Sequence, residues 1–154
     1  MNTITWEVKK FTELDAGQLY AVLRLRTEVF VVEQNCVFQD MDNKDQQSYH
    51  LLGWDGDALV AYTRLVTPGI SYEEPSIGRV VTSPAARGSG LGRILMEKSI
   101  AEANKLFGSL PIRIGAQLYL RKFYESLGFQ QSSEIYDEDG IDHIEMLRPT
   151  TLFV

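Results

Sequence analysis

The sequence has few of the residues that build disulfides and metal clusters. Its 154 residues include one cysteine, Cys36, and two histidines, His50 and His143. A single cysteine excludes an intramolecular disulfide and a multi-cysteine zinc site, and two histidines are too few for a histidine-rich cluster. A chain of this length buries about 70% of its unfolded surface without such crosslinks. We therefore expect no metal and a domain held together by its hydrophobic core.

Long hydrophobic runs and a basic surplus are also absent. No stretch approaches the roughly 20 apolar residues of a membrane helix, and residues 1–10 alternate and carry charge, unlike a signal peptide. The 15 Lys and Arg against 21 Asp and Glu give a formal net charge of −6. Because nonspecific binding to nucleic acid or anionic membranes relies on a basic surface, we expect a cytoplasmic protein that binds neither.

The remaining composition is that of an ordinary globular domain. Hydrophobic residues make up 44% and charged residues 23%, close to the average for folded domains. No linker, repeat or low-complexity segment divides the chain. The length and composition predict one domain over residues 1–154.

Hydrophobic patterning predicts strands that alternate with helices. The predicted strands are 4–8, 49–54, 58–66, 77–82, 112–116, 129–136 and 141–147. A first helix begins after a cap at Thr12 or Asp15 and contains Val22, Arg26 and Phe30 at helical spacing. A second follows residue 93, with Ile94 and Ala101 on its apolar face, and a third covers 118–127 and ends at Gly128. The order predicts an α/β sheet of mixed direction.

Polar segments between these elements suggest loops. Asp55-Gly56-Asp57 lies between two apolar runs and predicts a hairpin. Residues 35–47 are polar and contain Asp40, Asp42 and Asp45, but the glycine and distal glutamate of an EF-hand are missing. We expect a loop there and no calcium site.

A glycine-rich turn lies between the strand 77–82 and the second helix. Gly88, Gly90 and Gly92 let the backbone curl and expose N–H groups where the helix also places its positive dipole end. Arg79, Arg87, Arg93 and Lys98 make this segment basic, so it suits a phosphate-bearing ligand. A plain glycine turn is the alternative. The Gly-Lys-Ser/Thr of a P-loop is absent, and a Rossmann loop would follow the first strand.

Two motifs carry a resemblance to a known family. Arg87-x-x-Gly90-x-Gly92 resembles the acyl-CoA pyrophosphate loop of the GNAT N-acyltransferases. Residues 123–129, Phe-Tyr-Glu-Ser-Leu-Gly-Phe, resemble the family's segment Leu/Phe-Tyr-x-x-x-Gly-Phe. Segments 26–34, 78–81, 116–117 and 138–143 resemble the ElaA-like branch of that family. The resemblance implies the GNAT fold: a mixed twisted sheet of about six to seven strands, with helices on both faces and a splayed central parallel pair.

The resemblance also implies an acetyl-CoA cosubstrate site between the splayed strands 77–82 and 112–116. Unpaired backbone groups there would bond the pantetheine amides, because buried backbone groups require partners. The implied binding residues are Val80, Val81, Thr82, Arg87, Gly88, Ser89, Gly90, Leu91, Gly92, Arg93 and Gln117. GNATs often have Asn where Gln117 stands. Solvation at the surface is the alternative for both arginines.

The resemblance further assigns catalytic candidates. Tyr124 is the implied general acid that protonates the departing CoA thiolate; a core aromatic is the alternative. Glu33 and His143 are alternative candidates for the base, beside a water chain. The structural alternative for Glu33 is a solvated helix end, and that for His143 is a strand residue bonded to a neighbour. Cys36 lacks a neighbouring base in the pattern, so we expect a buried structural thiol, with a place in the acceptor pocket as the alternative.

The function implied is that of a transferase, specifically an acyltransferase. An N-acetyltransferase would move an acetyl group from acetyl-CoA to a primary amine by direct attack in a ternary complex. The acceptor is a small molecule, a protein lysine or an N-terminus. An acyl-CoA-binding sensor or regulatory module without turnover is the alternative. Apolar residues within 150–154 leave a homodimer open beside a core role.

Overall fold

The computed structural model describes residues 3–150, which form two β-sheets with helices packed around them. The strands in this range are β1 Thr5–Lys10, β2 Ser48–Asp55, β3 Ala58–Val66, β4 Ser76–Thr82, β5 Ile112–Gln117, β6 Gln130–Gln131, β7 Tyr136–Glu138 and β8 Ile141–Arg148. The α-helices are α1 Ala16–Arg26, α2 Leu91–Phe107 and α3 Arg121–Glu125. A π-helix, Thr27–Glu33, continues α1. The α/β class is therefore confirmed, although the expected six to seven strands become eight.

The two sheets meet at β4 and β5. The first sheet has the order β1-β2-β3-β4, and the second has the order β5-β8-β6, with β7 also paired to β8. All these pairings are antiparallel. Helix α2 connects β4 to β5, and Arg113 N donates to Pro75 O at 3.1 Å where the two strands begin. Farther along, both strands line one cleft. They are the splayed pair that the sequence predicts.

Helices cover both faces of the first sheet. Alternate residues of a strand point to opposite faces, and β2 shows this directly. Leu52 packs with Val22 of α1, whereas its neighbour Leu51 packs with Leu95 of α2. The sheet therefore divides the core into two parts.

The turn and cap residues named from the sequence form the expected local structures. Asp15 Oδ1 accepts from Gln18 N at 2.7 Å, and Gln18 Oε1 accepts from Asp15 N at 3.0 Å, which makes a capping box for α1. Gly56 has φ +59° in the β2–β3 hairpin, and Gly128 has φ +96° after α3. These left-handed values favour glycine.

Other predicted elements are wrong in extent. Strand 129–136 is reduced to β6, and β7 begins only at its last residue. Region 118–127 divides into a short 3₁₀ turn and α3. On α2, Ile94 is 44% exposed and Ala101 is also exposed, while Met96 and Ser99 are buried. Of the apolar C-terminal segment, residues 151–154 lie outside the described residues.

Candidate active site

A cleft of about 820 Å³ opens between β4 and β5. Residues 77–82 and 114–117 form its long walls, and the π-helix contributes Val29, Phe30 and Glu33. The π-helical hydrogen bonds run from Gln34 N to Val29 O and from Cys36 N to Val31 O, each at 3.1 Å. Such segments are frequent at functional sites. The cleft is therefore the candidate active site.

Strand β4 carries a bulge in the cleft wall. Tyr62 pairs with Val81 but Arg64 pairs with Gly78, so Arg79 and Val80 together oppose one residue of β3. Arg79 has φ +48°, a conformation that bulges usually assign to glycine. An arginine in this conformation is strained, and it persists only where its surroundings hold it in place.

Thr82 turns its backbone groups away from β3 and toward the cleft. Ser83 N donates to Val60 O at 2.8 Å, so the backbone of Ser83 faces β3. Because direction alternates along a strand, Val81 also faces β3. The N–H and C=O of Thr82 then face the open edge. Of the predicted backbone contacts, Thr82 therefore turns both groups toward the cleft, where its C=O accepts from Arg87 Nη2 at 3.4 Å, whereas Val81 pairs with β3.

A buried ion-pair network holds Arg79 in place. Its members are Arg26, Asp40, Asp42, Asp45, Arg64 and Arg79. Arg79 donates from Nε to Asp40 Oδ1 and from Nη2 to Asp40 O, both at 2.8 Å. Asp40 Oδ2 accepts from Arg26 Nε at 2.8 Å. The side chain of Arg79 is thus tied to the loop before β2 and, through Asp40, to the end of α1.

The rest of the network balances three arginines with three aspartates. Asp45 Oδ1 accepts from Arg26 Nη1 at 2.8 Å and from Arg64 Nη1 at 3.0 Å. Asp42 accepts two bonds from Arg64, at 2.7 and 2.8 Å. Burial alone would raise the pKa of Asp42 and Asp45, but the arginine hydrogen bonds and charges hold both pKa values below the usual range. All three carboxylates therefore serve ion pairs, and no group of His, Cys, Asp or Glu suited to a metal occurs within residues 3–150.

The glycine-rich turn forms the start of α2. Gly88 has φ +90° and Gly90, the N-cap residue, has φ +76°. The first intrahelical bond of α2 runs from Ile94 N to Gly90 O at 3.3 Å. The N–H groups of Leu91, Gly92 and Arg93 consequently lack helical acceptors. The turn has the geometry of an anion site, and the side chain of Leu91 is buried beneath it.

Two arginines flank this turn, and each already has partners. Arg87 donates to both carboxylate oxygens of Glu33, at 2.8 and 2.7 Å. These bonds lower the pKa of Glu33, which makes its carboxylate a weaker base. Arg93 Nη2 donates to Ser126 Oγ at 2.7 Å. Both Arg87 and Glu33 line the cleft, whereas Arg93 points toward α3.

Tyr124, on α3, lines the cleft. Its side chain is 6% exposed and packs edge-on against Phe123 and Phe129. Its hydroxyl forms no hydrogen bond with any residue in the described part of the chain. Burial raises the pKa of Tyr124 to about 12, so the hydroxyl keeps its proton at neutral pH.

His143 and Gln117 lie on facing positions of β8 and β5. His143 Nδ1 bonds to Ile141 O at 2.8 Å, and Nε2 lies 3.3 Å from Glu138 Oε2. Its ring stacks on Tyr136, with centroids 5.9 Å apart. Gln117 Nε2 donates to Gln34 Oε1 at 3.4 Å. Both side chains line the cleft.

The comparisons with known proteins identify the family. A model of the acetyltransferase (GNAT) domain matches residues 12–148. The chain belongs to the GNAT acetyltransferase family. It is 45% identical over 147 residues to protein ElaA of Escherichia coli (strain K12), a match that covers 94% of this chain and 96% of that protein. The predicted ElaA-like branch is thereby confirmed.

Solved structures confirm the GNAT fold. A crystal structure of Escherichia coli ElaA matches with a TM-score of 0.89 and 44% identity, covering 95% of this chain and 99% of the other. An acyl-CoA N-acyltransferase from Pseudomonas aeruginosa matches with a TM-score of 0.91 and 43% identity, with the same coverage. The GNAT family and fold support acyl transfer and binding of acyl-CoA. Within residues 3–150, no helix is long and apolar enough to span a membrane.

The GNAT cleft brings together residues that are distant in sequence. Nine of the predicted site residues line it: Glu33, Val80, Val81, Thr82, Arg87, Gly92, Gln117, Tyr124 and His143. Gly88, Ser89, Gly90, Leu91 and Arg93 form or follow the turn at its mouth. Cys36 is buried, and its Sγ donates to Asp139 O at 3.3 Å, as a structural thiol would. It also borders the cleft. These residues' functional roles stay predictions.

The ion-pair network was not predicted from the sequence. Asp40, Asp42 and Asp45 were expected in a polar loop, whereas Asp40 and Asp45 are buried. One signal was present: Arg26 shares the helical spacing of apolar residues on α1. A charge on an apolar face needs a buried partner, and the acidic loop that follows offered three.

Proposed function

We propose that this GNAT protein is an N-acetyltransferase that transfers the acetyl group of acetyl-CoA to a primary amine. The observation that carries the proposal is the Tyr124 hydroxyl, which has no hydrogen-bond partner within residues 3–150 and whose pKa burial raises to about 12, in a cleft that β4 also lines. A general acid and backbone donors in one cleft suit attack on a thioester. Attack by the amine is direct, in a ternary complex, because the described cleft offers no activated nucleophile of its own.

The cleft residues fit acetyl-CoA. N–H groups at the start of α2 suit a diphosphate, as the dipole end of a helix does. Arg87 adds a bidentate donor at the mouth, where a phosphate would replace Glu33. Thr82 offers a backbone N–H and C=O to an amide-bearing arm, and Gln117 offers a side-chain amide across the cleft.

A group of the cleft can be assigned to each step of the proposed acetyl transfer. Bound acetyl-CoA supplies a thioester whose acyl group is activated for transfer. An N–H of β4 beyond the bulge polarises the thioester carbonyl, a role worth about 2.7–4 kcal/mol elsewhere. His143 accepts the proton of the attacking amine at Nε2, because Nδ1 bonds to Ile141 O, and the exposed Glu138 carboxylate, 3.3 Å from Nε2, gives way to the amine. Glu33 is less suited because Arg87 lowers its pKa. Tyr124 donates its proton to the leaving sulfur.

The test measures thiol release from acetyl-CoA with a panel of primary amines. We expect turnover by the wild type, and a fall of about 10²–10⁴-fold in kcat for Tyr124→Phe with CoA binding retained. Tyr119→Phe is the matched control, because Tyr119 also lines the cleft but is 74% exposed. Equal turnover by Tyr124→Phe would remove this residue from the chemistry. Calorimetric binding of CoA without turnover on any amine would instead favour the sensor alternative.

A further inference from the structure

The bulge in β4 decides which backbone groups face the cleft. Arg79 and Val80 together oppose one residue of β3, and beyond them Val81 faces β3 while Thr82 turns away from it. Because backbone direction alternates residue by residue, a slip of one position along β4 would reverse these two orientations. Thr82 would then bond to β3, and its N–H would no longer face the cleft. The backbone site that the proposed cosubstrate needs therefore depends on the bulge.

Arg79 holds the bulge although its own backbone conformation is strained. Its φ of +48° lies in the left-handed region that favours glycine. The guanidinium makes three bonds to the loop before β2: to Asp40 Oδ1 and Asp40 O at 2.8 Å each, and to Asp42 Oδ2 at 3.3 Å. Because strain of this kind persists only where the surroundings fix it, these bonds maintain the shape of the bulge.

Asp40 is the main anchor of the Arg79 side chain. While Oδ1 and the backbone oxygen of Asp40 accept from Arg79, its Oδ2 accepts from Arg26 Nε at 2.8 Å. Arg26 is fully buried and ends α1 directly before the π-helix. The residues of the described chain that line the cleft include Arg79 but not Asp40. Asp40 is therefore placed to affect a ligand in the cleft through Arg79.

We propose that Asp40 is a positioning residue for acyl-CoA binding: by anchoring the Arg79 guanidinium, it keeps the bulge in the form that presents Thr82 to the pantetheine arm. The inference rests on the proposed acetyl-CoA site. It gives the buried network a role in that site beside its role in stability. Loss of the Asp40 carboxylate then weakens binding of the arm, whereas binding of the diphosphate at the start of α2 is unchanged.

Calorimetry with two probes separates the arm from the diphosphate: CoA, and the nucleotide half of CoA, which lacks the pantetheine arm. The ratio of the two Kd values is the gain from the arm, and a general loss of stability leaves it unchanged in folded protein. We expect Asp40→Asn to lower this gain about tenfold, the scale of one to two hydrogen bonds. Asp45→Asn is the matched control, because Asp45 is also buried but its side chain bonds Arg26 and Arg64 rather than Arg79. It keeps the wild-type gain.

Two substitutions of Arg79 separate an effect on the backbone from a contact with the ligand. Arg79→Gly adopts φ +48° without strain and keeps part of the arm gain, whereas Arg79→Ala loses at least as much as Asp40→Asn. A guanidinium that bonds the arm directly would make the two losses equal. Adding Asp40→Asn to Arg79→Gly costs no further arm gain, because Asp40 acts through Arg79.

The outcomes distinguish the positioning role from the proposed function. An unchanged gain in Asp40→Asn, equal losses in the two Arg79 variants, or a further loss in the double variant overturns the positioning role and leaves the acetyl-CoA site intact. If Asp40→Asn does not fold, the two Arg79 variants decide. A wild type that gains nothing from the arm overturns both the acetyl-CoA site and the inference. If the expected gains are measured but no amine is acetylated, the proposed transfer fails and the positioning role stands.

Discussion

Removal of Arg26 provides a strong test of the ion-pair network. Arg26→Met keeps an unbranched side chain on α1 but removes the guanidinium, which is fully buried. Three bonds disappear: Nε to Asp40 Oδ2 and Nη1 to Asp45 Oδ1, both at 2.8 Å, and Nη2 to Asp40 O at 3.3 Å. Arg79 still bonds Asp40, and Arg64 still bonds Asp45. The network then holds three negative and two positive charges.

The expected cost follows from that imbalance. Hydrogen bonds to charged groups contribute about 1.5–3 kcal/mol each, and breaking one side of a buried ion pair costs about 3–5 kcal/mol. Because Asp40 and Asp45 each keep one arginine, we expect a loss of about 3–4 kcal/mol. Against a total stability of about 5–15 kcal/mol, the variant still folds.

Urea unfolding at pH 7, followed by circular dichroism, measures this loss. We expect a lower midpoint with an unchanged m-value. Arg24→Met is the matched control: it lies two residues away on α1, is exposed, and should stay within about 0.5 kcal/mol of the wild type. A loss below about 1 kcal/mol in Arg26→Met would refute the reasoning, because the buried carboxylates would then have other compensation.

Three further predictions address the bulge, the buried histidine and the cleft mouth. At the bulge, glycine tolerates φ +48° whereas alanine does not. In thermal unfolding, Arg79→Ala should therefore be less stable than Arg79→Gly by about 1 kcal/mol. The reverse order of stability would argue against backbone strain at this position. Burial lowers the pKa of His50, so the unfolded chain takes up a proton first as pH falls below about 6.5. Stability therefore declines from there toward pH 5, and a His50→Gln variant with the same slope in urea titrations would contradict this. Glu33→Gln should release Arg87 and tighten CoA binding by about 2–5-fold, which is the scale of an exposed ion pair. Calorimetry measures this affinity. A large fall in kcat with unchanged CoA affinity would instead support Glu33 as the base.

The parts of the fold that follow from neighbouring residues could be predicted from the sequence. The hairpin at Gly56, the cap at Asp15 and the glycine-rich start of α2 each depend on a few adjacent residues. The strand expected at 129–136 does not. β6 pairs with β8 at Gln130 and Gln131, Ser132 N adds one bond to Glu145 O, and pairing with β8 resumes only at Tyr136. Pairing depends on where the distant strand runs, and periodicity does not contain that information.

The candidate site also has a part that the sequence predicts and a part that it does not. The turn at 88–92 and Tyr124 belong to short motifs, so their positions were predictable. The bonds from Asp40 to Arg26 and Arg79 join residues 14 and 39 positions apart, and Lys44 lies 27 positions from Ser71. Nothing in a local pattern specifies such pairs. The pairing of Arg87 with Glu33, across 54 positions, joined two candidates that the sequence treated separately.

A chain of net charge −6 is an unexpected host for the diphosphate of the proposed acetyl-CoA. The conflict disappears when distance is considered, because charges beyond about 8 Å are largely screened at physiological ionic strength. Within that range the buried aspartates are neutralised by their own arginines. The backbone donors at the start of α2 attract an anion through the helix dipole and need no charged side chain. Pairing Asp40, Asp42 and Asp45 internally thus does two things at once: it fixes the strained bulge, and it prevents three carboxylates from repelling an anion bound in the cleft.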